Sequence, residues 1–201
     1  SGFARNRRVL DAACGTGYGS RLMAGAGAHH VTSIDVSPEA ALEARRSGDL
    51  RLLRFVRGDA ARLPLRKGTV DLYACFETIE HVEDDEALLG EARRVLAPTG
   101  RFLCSTPNRD LLSPGLTIRD RPQNPYHVRE YAADELAAVL RERFAEVEIH
   151  GVGMSDPVRA YMAARSARIR SILRLDPLRI RDRLPRAWSD RLFAAFALAC
   201  A

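Results

Sequence analysis

Residues 9–19 read Val9-Leu10-Asp11-Ala12-Ala13-Cys14-Gly15-Thr16-Gly17-Tyr18-Gly19, and this stretch decides the fold. The apolar run at 9–13 predicts a buried strand, and Ser20–Ala26 predicts a helix. Three glycines at alternate positions stand between them, which is typical of a tight turn because glycine carries no Cβ. The stretch therefore predicts a strand, a glycine-rich turn and a helix in succession.

The same alternation continues along the chain. Further apolar runs predict strands at Val31–Val36, Leu52–Val56, Val70–Phe76, Arg101–Thr106 and Val147–Val152. Helical patterns lie between and after them. Ser37 caps one at Glu39–Arg46, and Asp84 or Asp85 caps a second whose apolar residues are Leu88, Leu89, Ala92, Val95 and Leu96. Two more lie at Ala133–Phe144 and Pro157–Leu175, while Leu192–Ala201 fits an edge strand or a small helix. Nearly continuous apolar strands alternating with helices predict an α/β fold, with a mainly parallel central sheet and helices on both faces.

Length and composition limit the domain count and the protein class. The chain has 201 residues, 46% of them hydrophobic and 28% charged, which suits one domain over 1–201 with a basic extension, 154–201, packed on it. No apolar run approaches the roughly 18 residues of a membrane span. Cys14, Cys75, Cys104 and Cys200 lack metal-type spacing, so we expect free thiols and a cytoplasmic protein. Because the first strand begins so near Ser1, we expect a piece of a longer protein.

Positive charge concentrates near the carboxyl end of the chain. Ten arginines and three aspartates occur from Arg159 to Arg191. Three interpretations stay open: a solvated helix face, a site for an acidic partner such as a nucleotide-sugar or RNA, and weak contact with an anionic membrane surface. Aromatic residues that could stack on bases do not accompany these arginines, so the sequence disfavours nucleic acid and favours a small-molecule acceptor. It indicates no oligomeric state.

The predicted ligand edge lies where the parallel strands end. Asp35 ends the second predicted strand 18 residues after Gly17, where a carboxylate can accept hydrogen bonds from ribose hydroxyls. The turn reads G-x-G-x-G, shorter than the G-x-G-x-x-G of dinucleotide sites, and Asp11 precedes it. An acid at this position opposes a pyrophosphate and favours a cationic ligand. S-adenosylmethionine carries a sulfonium and an ammonium without phosphate and is the expected cofactor, although a glycine turn that serves packing alone stays open.

On these residues the chain resembles the class I S-adenosylmethionine-dependent methyltransferases over Val9–Gly153. Residues 9–19 resemble the glycine motif of that family, Ser33–Ser37 its ribose motif and Gly58–Ala60 its adenine motif, although Ala13 stands where many members have glycine. The resemblance implies a Rossmann-like fold, with Asp59 facing the adenine amine and Phe76 as a pocket wall. The residues expected to bind the cofactor are Asp11, Cys14, Gly15, Gly17, Asp35, Val36, Gly58, Asp59, Ala60 and Phe76.

A polar segment follows the fourth predicted strand. Glu77, Glu80 and His81 stand at i, i+3 and i+4, so a single helical turn gathers them on one side, and His127 could join them from a later loop. Carboxylates with imidazole suit Mg²⁺, Mn²⁺ or Fe²⁺. Two alternatives stay open: His81 acts as a general base without metal, or the acids merely favour the start of the following helix.

The E-x-x-E-H segment at 77–81 is similar to those of small-RNA 2′-O-methyltransferases, quinone-pathway O-methyltransferases and glycosyltransferase-associated methyltransferases. This similarity implies O-methylation of a small hydroxylated acceptor, a sugar or glycoside first and a phenolic or quinone-type ring second. His81 and Glu77 would be catalytic, and Glu77, Glu80, His81 and His127 would hold Mg²⁺ or Mn²⁺. The rival functions are a non-catalytic cofactor-binding subunit, an RNA 2′-O-methyltransferase and a nicotinamide-dependent oxidoreductase.

Overall fold

The computed structural model of the chain describes residues 2–40, 42 and 51–174. In this part of the chain five strands form one sheet, in the order β3-β2-β1-β4-β5, and every neighbouring pair is parallel. The strands are β1 (Arg8–Ala12), β2 (His30–Asp35), β3 (Leu53–Arg57), β4 (Val70–Phe76) and β5 (Leu96–Ser105). The parallel α/β prediction is therefore confirmed.

The helices are α1 (Tyr18–Gly25), α2 (Asp85–Val95), α3 (Arg109–Leu112), α4 (Ala133–Arg141) and α5 (Asp156–Arg174), with a 3₁₀ turn at Ile79–His81. They follow the predicted order, except that α1 begins two residues before the predicted Ser20 and a short helix, α3, lies where the sequence predicted a loop. The Asp84 carboxylate accepts a hydrogen bond from the Ala87 amide at 2.8 Å and begins α2. Ser37 Oγ accepts from the Ala40 amide at 3.1 Å. Most of the predicted helix Glu39–Arg46 lies outside the described residues.

Apolar side chains cover both faces of the sheet because successive strand residues point to opposite sides. On one face, Leu10 and Tyr73 pack with residues of α2, namely Leu88, Leu89, Ala92 and Val95. On the other face, Val9, Val31 and Leu72 pack with Met23 and Ala24 of α1. The two-sided core confirms the predicted helices on both faces. Truncating a buried residue such as Leu88 to alanine should cost about 2–5 kcal/mol of stability.

Two strand predictions need correction. Val147–Val152 forms no strand, because no strand among the described residues pairs with this segment, and its Ile149 and Val152 stay 40% and 92% exposed. β5 begins at Leu96, five residues before the predicted Arg101, since Leu96 pairs with Val70 ahead of an irregularity in register. Gly100 lies in that irregularity, where a Cβ would come within 3.0 Å of the Val70 carbonyl oxygen.

The carboxyl-terminal part of the described chain is helical, as predicted. Arg165 of α5 donates to the carbonyl oxygens of Leu111 and Leu112 at 2.9 and 3.2 Å, which joins α5 to α3. No helix of the described residues is long and apolar enough to cross a membrane. The interpretation of Leu192–Ala201 concerns residues outside the described ranges, and the single domain over 1–201 stays a prediction.

Candidate functional site: a glycine turn and an acid–imidazole cluster

The glycine turn between β1 and α1 has a backbone that few residue types adopt. Gly15 and Gly17 have φ angles of 50° and 75°, and Ala13 has a φ of 55°, all in the left-handed region. The Cys14 amide donates to the Ile34 carbonyl oxygen at 3.0 Å, which joins the turn to β2. A Cβ added at Gly15 would meet no atom within 4 Å. The turn therefore presents bare backbone to open space at the end of the sheet.

Asp35 ends β2 beside this turn. Its Oδ2 accepts a hydrogen bond from the Gly15 amide and its Oδ1 accepts one from the Ser37 amide, each at 2.8 Å. The residue is half-buried, and each carboxylate oxygen can accept more than one hydrogen bond. The carboxylate is thus held in place by backbone amides while keeping acceptor capacity for ribose hydroxyls.

Asp11 lies beneath the turn and is only 3% exposed. Ser20 Oγ donates to its Oδ2 at 2.5 Å, and Ser33 Oγ donates to Ser20 Oγ at 2.7 Å. Burial raises the pKa of Asp11 to about 6, and the hydrogen bond from Ser20 opposes that rise. A Cβ at Gly19 would lie 3.3 Å from Asp11 Oδ2. A buried acid under a close backbone approach fits a cationic cofactor.

The residues predicted to hold adenine lie at the same edge. The Gly58 amide donates to the Asp35 carbonyl oxygen at 2.9 Å, and Asp59 Oδ1 accepts from the Ala61 amide at 2.8 Å. Ala60 is buried and Asp59 is exposed. Val36 and Phe76, which follow or end strands of this edge, are 63% and 42% exposed and could contact a flat ring.

The predicted cofactor residues therefore gather at one sheet edge, and their chemistry fits S-adenosylmethionine. Burial also raises the pKa of Cys14 to about 12, so this half-buried residue stays a neutral thiol beside the turn. The individual contacts with the cofactor stay predictions.

A second group lies beyond the end of β4 and is called here the acid–imidazole cluster: Glu80, His81 and His127. One ligand atom of each residue lies within 4.8 Å of the others. Glu80 is 1% exposed, and its Oε2 accepts from Thr106 Oγ1 at 2.8 Å. Burial raises the pKa of Glu80 and so favours its neutral form, and a cation nearby would oppose that rise. Three of the four metal ligands predicted from the sequence, Glu80, His81 and His127, therefore lie close together.

Hydrogen bonds determine which nitrogen of His81 carries the proton. Its Nδ1 lies 2.8 Å from the Tyr126 carbonyl oxygen, which can only accept, so Nδ1 is the donor. The Nε2 atom lies 3.9 Å from Glu80 Oε1. A neutral His81 therefore turns an unprotonated nitrogen toward the Glu80 carboxylate.

His127 is fixed in the same way. Its Nδ1 lies 2.7 Å from Glu130 Oε1, and its Nε2 lies 2.8 Å from Asn124 Nδ2. Because Asn124 Oδ1 accepts from the Tyr126 amide at 3.0 Å, the Asn124 Nδ2 group is the one that faces the imidazole and donates to it. Both rings thus carry the proton on Nδ1, as in metal-ligating histidines that donate to a carbonyl or carboxylate.

The structure places Glu77 outside this cluster. Its carboxylate accepts from Ser105 Oγ at 2.7 Å, and the residue is exposed with a φ of 49°. Sequence reasoning also missed Thr106, Asn124 and Glu130 as partners of the cluster. Only the i, i+3 spacing of His127 and Glu130 could have indicated their contact.

Comparison with known proteins agrees with this architecture. Residues 10–104 match the family model described as a methyltransferase domain. A probable S-adenosylmethionine-dependent methyltransferase of Mycolicibacterium smegmatis is 40% identical over 155 residues, or 75% of this chain and 58% of that protein. A ubiquinone biosynthesis O-methyltransferase of Xanthomonas oryzae is 35% identical over 160 residues, or 72% of this chain and 64% of that protein.

Solved structures agree on the fold. The S-adenosylmethionine-dependent methyltransferase of Mesorhizobium loti superposes with a TM-score of 0.59 at 24% identity, covering 70% of this chain and 74% of that one. The chain therefore carries a class I S-adenosylmethionine-dependent methyltransferase domain. It spans between about half and two thirds of the length of the curated relatives it matches.

Proposed function

We propose that the protein transfers the methyl group of S-adenosylmethionine to a hydroxyl of a small acceptor that carries two adjacent oxygens. The glycine turn, Asp35 and the buried Asp11 support the cofactor half of this proposal. The acid–imidazole cluster supports the acceptor half, because it lies beyond β4 at the same sheet edge as the cofactor residues.

We propose further that the cluster holds a divalent cation. The observation that carries this proposal is the pair of imidazoles whose Nδ1 atoms are both occupied, at Tyr126 O and Glu130 Oε1, beside the buried Glu80 carboxylate. One carboxylate and two imidazole nitrogens form a donor set that Mn²⁺, Fe²⁺ or Mg²⁺ accepts. Asn124 Nδ2 lies at His127 Nε2, so Asn124 would have to turn aside for His127 to bind the cation.

Bound Mg²⁺ or Mn²⁺ would supply Lewis acidity that lowers the pKa of an acceptor hydroxyl. Glu80, His81 and His127 would orient the acceptor, and the glycine turn would orient the cofactor, so that the oxygen faces the methyl carbon in line with the sulfur. The oxygen–carbon bond forms as the carbon–sulfur bond breaks, and the electron pair stays on sulfur. The hydroxyl proton passes to solvent, because His81 Nδ1 donates to Tyr126 and the remaining nitrogen, Nε2, would hold the cation.

Two acceptor classes suit this arrangement, a sugar or glycoside with a vicinal diol and a phenolic or quinone-type ring with a catechol. The similarity to a ubiquinone biosynthesis O-methyltransferase supports the ring class. Adjacent oxygens that chelate a metal are common to both classes.

One specific observation favours a second candidate, in which His81 is a base that needs no metal. Its side chain is 43% exposed, and Nε2 is unprotonated in the neutral ring, so the ring can accept a proton directly. Transfer of labelled methyl from S-adenosylmethionine to catechol and to a methyl glycoside, with and without a chelator, separates the two.

Loss of transfer on chelation, with S-adenosylhomocysteine binding intact and activity restored by Mn²⁺, supports the metal. Full transfer after chelation would leave His81 as the base. Calorimetric titration with S-adenosylhomocysteine and with NAD tests the cofactor separately, and binding of neither would indicate a protein that does not use this site.

A further inference from the structure

Glu130 lies next to the acid–imidazole cluster and is only 2% exposed, yet its carboxylate makes few hydrogen bonds. Oε1 accepts from His127 Nδ1 at 2.7 Å, while Oε2 has no hydrogen-bond partner among the described residues. A buried carboxylate with one hydrogen bond costs folding free energy that a neutral glutamine would largely avoid. Stability therefore does not explain an acid at this position.

The backbone around Glu130 is held by other contacts. The Val128 amide donates to the Glu80 carbonyl oxygen at 2.7 Å, and the Arg129 guanidinium pairs with Asp85 at 2.5 Å. The Tyr131 hydroxyl also donates to Asp85 at 2.5 Å. These bonds connect the segment that carries His127 to the segment that carries Glu80, and none of them involves the Glu130 side chain. The Glu130 carboxylate therefore acts on the His127 ring rather than on the path of the loop.

We propose that Glu130 is a positioning residue that fixes the proton of His127 on Nδ1 and aims Nε2 at the cluster. The role as support for a metal ligand rests on the proposed function, whereas the effect on the imidazole proton does not. A carboxylate that accepts from a ligating histidine fixes the ring and raises the basicity of its other nitrogen. Asn124 Nδ2, which donates to Nε2, favours the same proton position.

The test compares the wild type with Glu130→Leu, which removes the acceptor, and Glu130→Gln, which keeps an acceptor but removes the charge. Glu83→Gln is the matched control, because Glu83 is an exposed acid close to the cluster in sequence and is not one of its members. Each protein is labelled with ¹⁵N-histidine, and long-range ¹H–¹⁵N spectra report which ring nitrogen carries the proton. Mn²⁺ titration gives the metal affinity, and S-adenosylhomocysteine titration checks the cofactor half.

In the wild type we expect a protonated Nδ1 on His127. Glu130→Leu should shift the His127 ring signals toward a mixture of proton positions and weaken Mn²⁺ binding by about 10–100-fold, as for other residues that support metal ligands. Glu130→Gln should give a smaller loss of Mn²⁺ affinity with no loss of thermal stability. Glu83→Gln and S-adenosylhomocysteine binding should be unchanged.

Unchanged His127 signals in both Glu130 variants would overturn the positioning role. If the wild type binds no Mn²⁺, the metal in the proposed function fails, and the ring signals alone then decide the role of Glu130. If Glu130→Leu does not fold, Glu130→Gln decides it by the His127 signals, since loss of charge beside Nδ1–H must change their positions if the carboxylate fixes the ring.

Discussion

The Asp35 carboxylate accepts the Gly15 amide at 2.8 Å, so the residue predicted to bind ribose also holds the glycine turn. The strands β1 and β2 are neighbours in the sheet, and this hydrogen bond joins the end of β2 to the turn that follows β1. The same carboxylate also accepts the Ser37 amide at 2.8 Å. Cofactor affinity and turn geometry therefore depend on one side chain.

Asp35→Ala should weaken S-adenosylhomocysteine binding while the protein still folds. Loss of charge-assisted hydrogen bonds to ribose hydroxyls costs on the order of 1.5–3 kcal/mol, roughly 10–150-fold in affinity. Calorimetric titration measures the loss, and Asp35→Asn, which keeps one acceptor oxygen for the Gly15 amide, is the matched control. Unchanged affinity in Asp35→Ala would show that the ribose lies elsewhere.

Asp11 should make the stability of the ligand-free protein depend on pH. Its folded pKa of about 6 lies above the ordinary value of 3.8, so folding favours the protonated form. Ionising the buried Asp11 therefore lowers the free energy of unfolding. This loss of stability is absent below about pH 4, grows as the pH rises to about 6, and then stays constant at roughly 3 kcal/mol. Asp11→Asn should therefore raise the free energy of unfolding at pH 7.5 by up to about 3 kcal/mol and leave it unchanged at pH 4. Urea unfolding at both pH values checks this, and equal differences at the two would contradict it.

Ionisation of Asp11, which lowers stability, should raise the affinity for the cofactor. A cationic ligand favours ionised Asp11, so S-adenosylhomocysteine, which keeps the ammonium, should bind about tenfold more weakly at pH 5 than at pH 7.5. Asp11→Asn should bind weakly at both pH values. A wild-type affinity that is flat across this range would place the ammonium away from Asp11.

Much of the fold could be predicted because its signals are local. Apolar runs of five to seven residues predicted β1, β2 and β4, and Ser37 and Asp84 cap helices as the sequence predicted. The predicted strand at 147–152 failed because no strand in the described part of the chain pairs with it, and strand pairing depends on distant residues that a local pattern does not report. The early start of β5 depends on the pairing of Leu96 with Val70. The sequence did not predict it, because Pro98-Thr99-Gly100 is typical of a break between a helix and a strand.

The sequence predicted most members of the acid–imidazole cluster, but it did not predict the hydrogen bonds that hold them. Glu80 and His81 are adjacent in the chain and lie in the cluster with His127. The helical spacing that was to bring Glu77 to them did not, because the left-handed backbone of Glu77 directs its carboxylate to Ser105. The long loop 113–131 carries His127, and the contacts of Asn124 and Glu130 with it arise from loop geometry that no periodicity encodes.

Ala13→Gly should stabilise the protein. Ala13 has a φ of 55°, which costs a residue with a Cβ about 1–2 kcal/mol, and the greater freedom of glycine in the unfolded chain offsets about 0.4–1 kcal/mol of that gain. We expect a net gain of about 0.5–1 kcal/mol in urea unfolding. The control is Ala138→Gly on the exposed face of α4, which should lose about 1 kcal/mol because its backbone is helical. A loss in both variants would contradict the left-handed turn.

Glu80→Gln and Glu77→Gln should differ in Mn²⁺ affinity, although the sequence predicted both carboxylates as metal ligands. Glu80 belongs to the acid–imidazole cluster, so replacing its carboxylate by a neutral amide, a poorer ligand for a hard cation, should weaken Mn²⁺ binding about 10–100-fold. Glu77 lies outside the cluster and bonds to Ser105, so Glu77→Gln should keep wild-type Mn²⁺ affinity. Calorimetry and electron paramagnetic resonance of added Mn²⁺ measure both, with S-adenosylhomocysteine affinity as the check on folding. Equal losses in the two variants would mean that Glu77 turns into the cluster when the cation binds, and equal retention would remove the metal from the proposed function.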